Sequence, residues 1–123
     1  MTSQTVLFVE DMSICSEPIA AVLRRRGYRV ICVSKGREAL KALEEHSPDL
    51  IMLDLALPDM SGLDLLKEIR ASPQWEDLPA VVFTGSGDVS QLVSGLRVSA
   101  CLIKSLASTA EIKGAIQRAL AGK

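Results

Sequence analysis

The chain has 123 residues, the length of one ordinary domain, so we expect residues 1–123 to form a single core. Its 14 lysines and arginines nearly balance 15 aspartates and glutamates, and aromatic residues make up only 3%, which argues against direct binding of nucleic acid. Apolar runs stop after four to six residues, well short of the roughly 20 that span a bilayer. Because no basic segment precedes the first apolar run, we predict no signal peptide and expect a cytoplasmic protein without membrane contact.

Five short apolar runs are predicted to be strands that alternate with helices along the chain. In chain order they are VLFV (6–9), YRVICV (28–33), LIML (50–53), AVVF (80–83) and ACLI (100–103). This alternation predicts an α/β fold with a parallel sheet and helices on both faces. Cys32 and Cys101 lie within two of the runs and are expected to be small core residues. The cysteines show no Cys-x-x-Cys spacing, which argues against a disulfide framework and a zinc site.

Helix signals fill the intervals between the predicted strands. The first helix should end before Gly27, and Pro18 predicts that it starts late or bends. The second should end before Ser47, and a short fourth helix is predicted over residues 90–96. Two serines with an acidic residue three positions later predict capping boxes for the third and the last helix: Ser61 with Asp64 and Ser108 with Glu111.

Polar residues directly follow four of the predicted strands. Glu10 and Asp11 follow the first strand, Asp54 the third, Thr84 the fourth and Lys104 the fifth. Parallel strands end at one edge of the sheet, where doubly wound folds bind ligands, so these side chains are expected to converge. Three carboxylates at one edge repel each other unless a cation offsets their charge. Oxygen ligands favour a hard cation, and magnesium is the natural candidate.

These motifs, in this order, resemble the receiver domain of two-component response regulators, the CheY-like family, across essentially the whole chain. The matching segments are VEDMS, GYRV, PDLIMLDLALPDMSGLDLL, AVVFTG and CLIK. The resemblance implies a doubly wound, flavodoxin-like sheet with strand order 2-1-3-4-5, an order of which CheY is itself a standard example. It also implies a phosphoprotein that acts as a switch in phosphorelay signal transduction and is not a free-standing enzyme.

Site roles carried over from the family fall on residues that match its motifs. Asp54 would be the phosphoacceptor and a metal ligand, Asp11 a direct magnesium ligand, and Glu10 a ligand through water. The main-chain carbonyl of Ala56 would complete the protein's share of the metal shell.

The same resemblance assigns the phosphoryl oxygens to Thr84 and Lys104. It implies a histidine kinase or phosphotransfer protein as phosphodonor, and an unidentified downstream protein or output domain as the receiver of the signal.

The sequence departs from the family pattern at three places. Cys101 stands where the family has an aromatic switch residue, and Ser105 stands where a proline usually follows the lysine. The segment between Thr84 and Lys104 is about two residues shorter than usual, which compresses the fourth helix. These departures keep open an alternative, a receiver-fold adaptor that binds its partner without phosphorylation. A free-standing metal-dependent phosphatase is less favoured, because the sequence shows no separate substrate pocket or general-base histidine.

Overall fold

The computed structural model describes residues 4–11, 13–85, 93–104 and 106–121. Within these residues, five strands and four helices follow one another along the chain. They are β1 (Thr5–Val9), α1 (Ser13–Arg25), β2 (Arg29–Val33), α2 (Gly36–His46), β3 (Leu50–Leu53), α3 (Gly62–Ala71), β4 (Ala80–Thr84), β5 (Ala100–Ile103) and α4 (Thr109–Ala121). No helix among the described residues is both long and apolar enough to cross a membrane.

The five strands form one parallel sheet in the order β2-β1-β3-β4-β5, which confirms the predicted α/β fold and strand order. Strands β1, β3 and β4 lie inside the sheet, and every one of their residues is buried. The order of the strands in the sheet differs from their order in the chain at β1 and β3, because β2 lies on the outer side of β1. A crevice outside the carboxyl ends of β1 and β3 is therefore the expected ligand position.

Alternate residues of the central strands pack into two separate apolar cores, one on each face of the sheet, so the single core expected from the chain length is wrong. One core packs side chains from β1, β3 and β4 against α2 and α3, with Leu7, Ile51, Leu53, Leu66 and Ile69 among its members. The other packs the opposite faces of the same strands against α1 and α4, with Phe8, Met52, Leu23, Phe83 and Ile116 among its members. This double cover fixes the strand ends, and with them the residues that follow.

The predicted burial of two cysteines is wrong, since both Cys32 and Cys101 are exposed. They lie in β2 and β5, the two edge strands of the sheet. An edge strand has a neighbour on one side only, so its side chains are less completely covered than those of central strands.

The predictions for the first and the fourth helix are tested only in part. Helix α1 begins at Ser13 and contains Pro18, so it does not start late. Of the predicted fourth helix, residues 90–92 lie outside the described residues, and residues 93–96 form a turn.

The helix caps follow the sequence closely. At the start of α4, the Glu111 amide donates to Ser108 Oγ (3.1 Å), and the Ser108 amide donates to Glu111 Oε1 (3.3 Å), which confirms the predicted capping box. Ser61 caps α3 through the amide of Leu63 instead of that of Asp64.

Candidate functional site

Three carboxylates meet where β1 and β3 end. Glu10 and Asp11 follow β1, Asp54 follows β3, and one carboxylate oxygen of each lies within 4.8 Å of the other two. The amide of Glu10 donates to Val33 O and that of Asp54 to Val9 O, so hydrogen bonds with the neighbouring strands continue through both acidic residues. Glu10 and Asp54 are each only 3% exposed, whereas Asp11 is open to solvent. The predicted convergence of these acids is confirmed.

Lys104 reaches the same pocket from the end of β5. Its amide donates to Thr84 O (2.7 Å), which fixes the backbone beside β4. Its ammonium Nζ lies 2.8 Å from Asp54 Oδ2 and 2.5 Å from Glu10 Oε2. The same Nζ lies 5.9 Å from the ring centroid of Phe83, a distance at which a cation and an aromatic face attract.

The two carboxylates keep the Lys104 ammonium charged. Burial by itself lowers the pKa of this lysine, but the hydrogen bonds and negative charges of Asp54 and Glu10 outweigh it, so the pKa is raised. The Lys104 ammonium therefore lies between two buried carboxylates. The sequence placed a lysine at this edge, but it gave no signal that Glu10 would share the ammonium with Asp54.

The remaining predicted site residues are Thr84, at the end of β4, and Ala56, in the loop after Asp54. Thr84 is the last residue of β4 and is buried. The amide of Ala56 donates to Asp54 Oδ1 (3.1 Å), so it holds the carboxylate oxygen that does not bond to Lys104. The peptide geometry between Lys104 and Ser105, where the family usually has proline, lies outside the described residues.

A tight loop between β3 and α3 holds Asp54 in place. The amide of Gly62 donates to Leu55 O (2.9 Å), which closes the loop just before α3. A Cβ atom at Gly62 would lie 2.3 Å from Asp54 O and 2.6 Å from Leu55 Cα. Only glycine permits this approach of the helix start to the backbone of the candidate site.

The donor set suits a hard divalent cation. Glu10, Asp11 and Asp54 offer carboxylate oxygens only, without nitrogen or sulfur among the grouped ligands. Three carboxylates outnumber the single Lys104 ammonium, so the pocket retains an excess of negative charge. These residues form an acidic metal-binding triad, and the exposed side of Asp11 leaves it accessible from solvent.

Comparison with known proteins agrees with the fold and the pocket. A profile of the response regulator receiver domain matches residues 6–117. The transcriptional regulatory protein KdpE of Mycobacterium tuberculosis is 40% identical over 95 residues, which are 77% of this chain and 41% of KdpE. The chemotaxis response regulator CheY4 of Vibrio cholerae superposes with a TM-score of 0.87 at 25% identity, covering 96% of this chain and 99% of that chain. The Mn(2+)-bound form of response regulator Rcp1 gives a TM-score of 0.76 at 29% identity, covering 91% and 88%.

The strand order places the chain among the flavodoxin-like, doubly wound α/β domains, and its acidic pocket lies at the switch point of the sheet. Within that class, the chain belongs to the response regulator receiver domain family of two-component systems. Membership implies a histidine kinase partner, and the pocket of Glu10, Asp11 and Asp54 is consistent with the phosphorylation site of such a domain. The chain spans about two fifths of KdpE, with 41% of that protein covered.

Proposed function

We propose that this chain is the phosphoacceptor receiver of a phosphorelay, in which Asp54 accepts a phosphoryl group with magnesium bound beside it. One observation carries the proposal: the buried Asp54 carboxylate lies within 4.8 Å of oxygens of Glu10 and Asp11, and 2.8 Å from Lys104 Nζ. A nucleophile is thereby placed next to a cation site and next to a fixed positive charge.

Phosphoryl transfer needs mainly positioning and charge neutralisation. An Asp54 oxygen attacks the phosphorus of a phosphohistidine, a P–O bond forms, the P–N bond breaks, and the histidine nitrogen keeps the electron pair. Ala56 orients the carboxylate through its amide, and the Lys104 ammonium, which bonds to Asp54, would pair with a phosphoryl oxygen. Thr84 would donate its hydroxyl to another oxygen from the end of β4.

Magnesium is the proposed metal, and it would be held by carboxylates and one main-chain carbonyl: Glu10, Asp11, Asp54 and the carbonyl of Ala56. When bound, it offsets the charge that gathers as the phosphate approaches three carboxylates. A solved structure of the response regulator Rcp1 is a Mn(2+)-bound form, which supports the proposal that this chain binds a divalent cation.

The expected partners are a histidine kinase or phosphotransfer protein and a downstream protein or output domain, all within the cytoplasm. KdpE is a transcriptional regulatory protein and extends well beyond the aligned region, so an output domain in a longer protein is one form of that arrangement. We propose no direct contact of residues 1–123 with nucleic acid or membrane.

The adaptor alternative, binding without phosphorylation, is favoured by one observation. Cys101 is exposed on the edge strand β5, at the position where the family has its aromatic switch residue. A thiol is too small to reproduce the rotation of a ring between a buried and an exposed position.

Intact-mass measurement separates the two functions. With magnesium and acetyl phosphate, the wild-type chain should gain one phosphoryl group, and EDTA or Asp54→Asn should abolish the gain. Asp64→Asn is the matched control, because it removes an exposed aspartate of α3 and should leave the gain intact. Lys104→Ala should still be phosphorylated while its surface responds less. A chain that binds magnesium but stays unmodified by acetyl phosphate and by histidine kinases would be an adaptor.

A further inference from the structure

A second polar cavity lies at the amino ends of the strands, whereas the acidic pocket lies at their carboxyl ends. It measures about 320 Å³ and opens at the amino ends of β4 and β5, beside Pro79 and Ser99. Strands of four or five residues separate the two edges by roughly 13 to 17 Å. Three arginines and one aspartate line the cavity: Arg70, Arg97, Arg118 and Asp77.

Arg70 is fixed in this cavity by the backbone. Its guanidinium donates to three carbonyl oxygens, those of Leu96 (2.6 Å), Trp75 (3.2 Å) and Arg97 (3.1 Å). Burial first, and then repulsion from Arg97, lowers the pKa of Arg70. Within the described part of the chain, neither Arg70 nor Arg118 forms an ion pair with a carboxylate. The cavity therefore holds positive charge that the protein itself does not neutralise.

Arg97 occupies a backbone position that favours glycine. Its φ is 56°, in the left-handed region that residues with a Cβ rarely adopt. Its side chain extends to Asp77, with Nη1 and Oδ1 2.6 Å apart. An arginine at such a position carries a conformational cost that a glycine would not, and such costs gather at functional sites.

We propose that this cavity binds a phosphate group as the dianion. Guanidinium groups match the oxygens of phosphate in paired hydrogen bonds. Among the described residues, Arg97 uses only Nη1, for Asp77, and no hydrogen bond occupies the guanidinium of Arg118. Three guanidinium groups against one carboxylate leave two positive charges, which fit a dianion better than a single carboxylate. The volume accepts inorganic phosphate or a small phosphate monoester.

Amide chemical shifts give the direct test. The wild-type chain, in EDTA and at constant ionic strength, is titrated with inorganic phosphate, glycerol phosphate or succinate. Saturable shifts at Arg97, Ser99 and Ala119 are expected with both phosphates. If glycerol phosphate binds more tightly than inorganic phosphate, the site is assigned to phosphate monoesters. If the two bind equally tightly, the site is assigned to the free phosphate ion. Shifts that do not saturate, or succinate binding as tight as that of phosphate, would overturn the proposal.

Variants test the arginines without relying on a loss of folding. Arg118→Gln should weaken phosphate binding by about tenfold, whereas Lys67→Gln, the same charge change on an exposed position of α3, should not. Arg97→Gly suits the left-handed backbone, so it should weaken binding without lowering the melting temperature. Asp77→Asn removes the competing carboxylate and should tighten binding. Unchanged affinity in Arg118→Gln and Arg97→Gly would refute the site.

Discussion

Lys104 acts as an internal cation in the acidic pocket. Sequence reasoning expected a metal ion to offset the repulsion among the carboxylates, but the Lys104 ammonium already lies between Glu10 and Asp54. Both carboxylates are buried, so removing the ammonium would leave two negative charges close together in a region of low dielectric. A divalent cation that approaches Glu10 and Asp54 therefore competes with a charge that is already bound.

Replacing this lysine should favour the metal. We expect Lys104→Met to tighten magnesium binding by about tenfold, the equivalent of roughly 1.4 kcal/mol of removed competition. The metal-free variant should also melt at a lower temperature, because Glu10 and Asp54 lose their shared partner. Isothermal titration calorimetry measures the affinity, with Lys67→Met as the matched control on the exposed face of α3. Equal or weaker magnesium binding by Lys104→Met would show that the ammonium does not compete.

The loop between β3 and α3 joins the acidic pocket to helix α2 through hydrogen bonds. Helix α2 begins at Gly36, and its N-cap residue Lys35 supplies no side-chain hydrogen bond. Asp59, from the loop, supplies the cap instead, accepting from the amides of Gly36 (2.8 Å) and Arg37 (3.1 Å). The segment from Asp54 to Gly62 is thereby held at two points, by Gly62 against the backbone of Asp54 and by Asp59 against the start of α2.

This cap should make stability depend on pH. The amide of Gly36, and then that of Arg37, lowers the pKa of Asp59. A depressed folded pKa adds stability above the unfolded value, about 3.9, and the contribution is lost as the pH falls through the folded pKa. Asp59→Asn should therefore melt at a lower temperature than wild type at neutral pH, and the difference should shrink at acidic pH. Glu44→Gln, a charge removal on the exposed face of α2, is the control for thermal melts. A difference that stays constant with pH would contradict the assignment.

Strands and helix starts could be predicted from the sequence where a pattern of neighbouring residues determines them. Apolar runs and capping serines located the strands and the start of α4 within a residue or two, because both signals act over a few neighbouring positions. The cap from Asp59 to Gly36 spans 23 positions and has no local signal, so it appears only in the structure. The exposure of Cys32 depends on which strands form the sheet edge, which is also a property of the whole fold.

Across the whole domain, the carboxyl ends and the amino ends of the strands carry opposite charge. Carboxylates of Glu10, Asp11 and Asp54 gather where β1 and β3 end, while arginines gather where β4 and β5 begin. The acidic edge could be predicted, because each acid directly follows an apolar strand and parallel strands end together. The cluster of arginines could not be predicted, since Arg70 and Arg118 come from two helices and Arg97 from the segment before β5, and no short motif encodes their packing.

The acidic edge should make the stability of the whole domain depend on divalent cations. A cation that binds only the folded pocket stabilises the fold by mass action, by about 1.4 kcal/mol at ten times its dissociation constant. For a domain of this length, that corresponds to a rise of about 5 °C in melting temperature. We expect millimolar magnesium to produce such a rise, and EDTA to reverse it. Asp11→Asn removes the exposed member of the triad, so it should fold without metal yet lose most of the rise. The cation would not bind among these three carboxylates if magnesium left the wild-type melting temperature unchanged. The same would follow if magnesium raised the melting temperature of Asp11→Asn as much as that of the wild type.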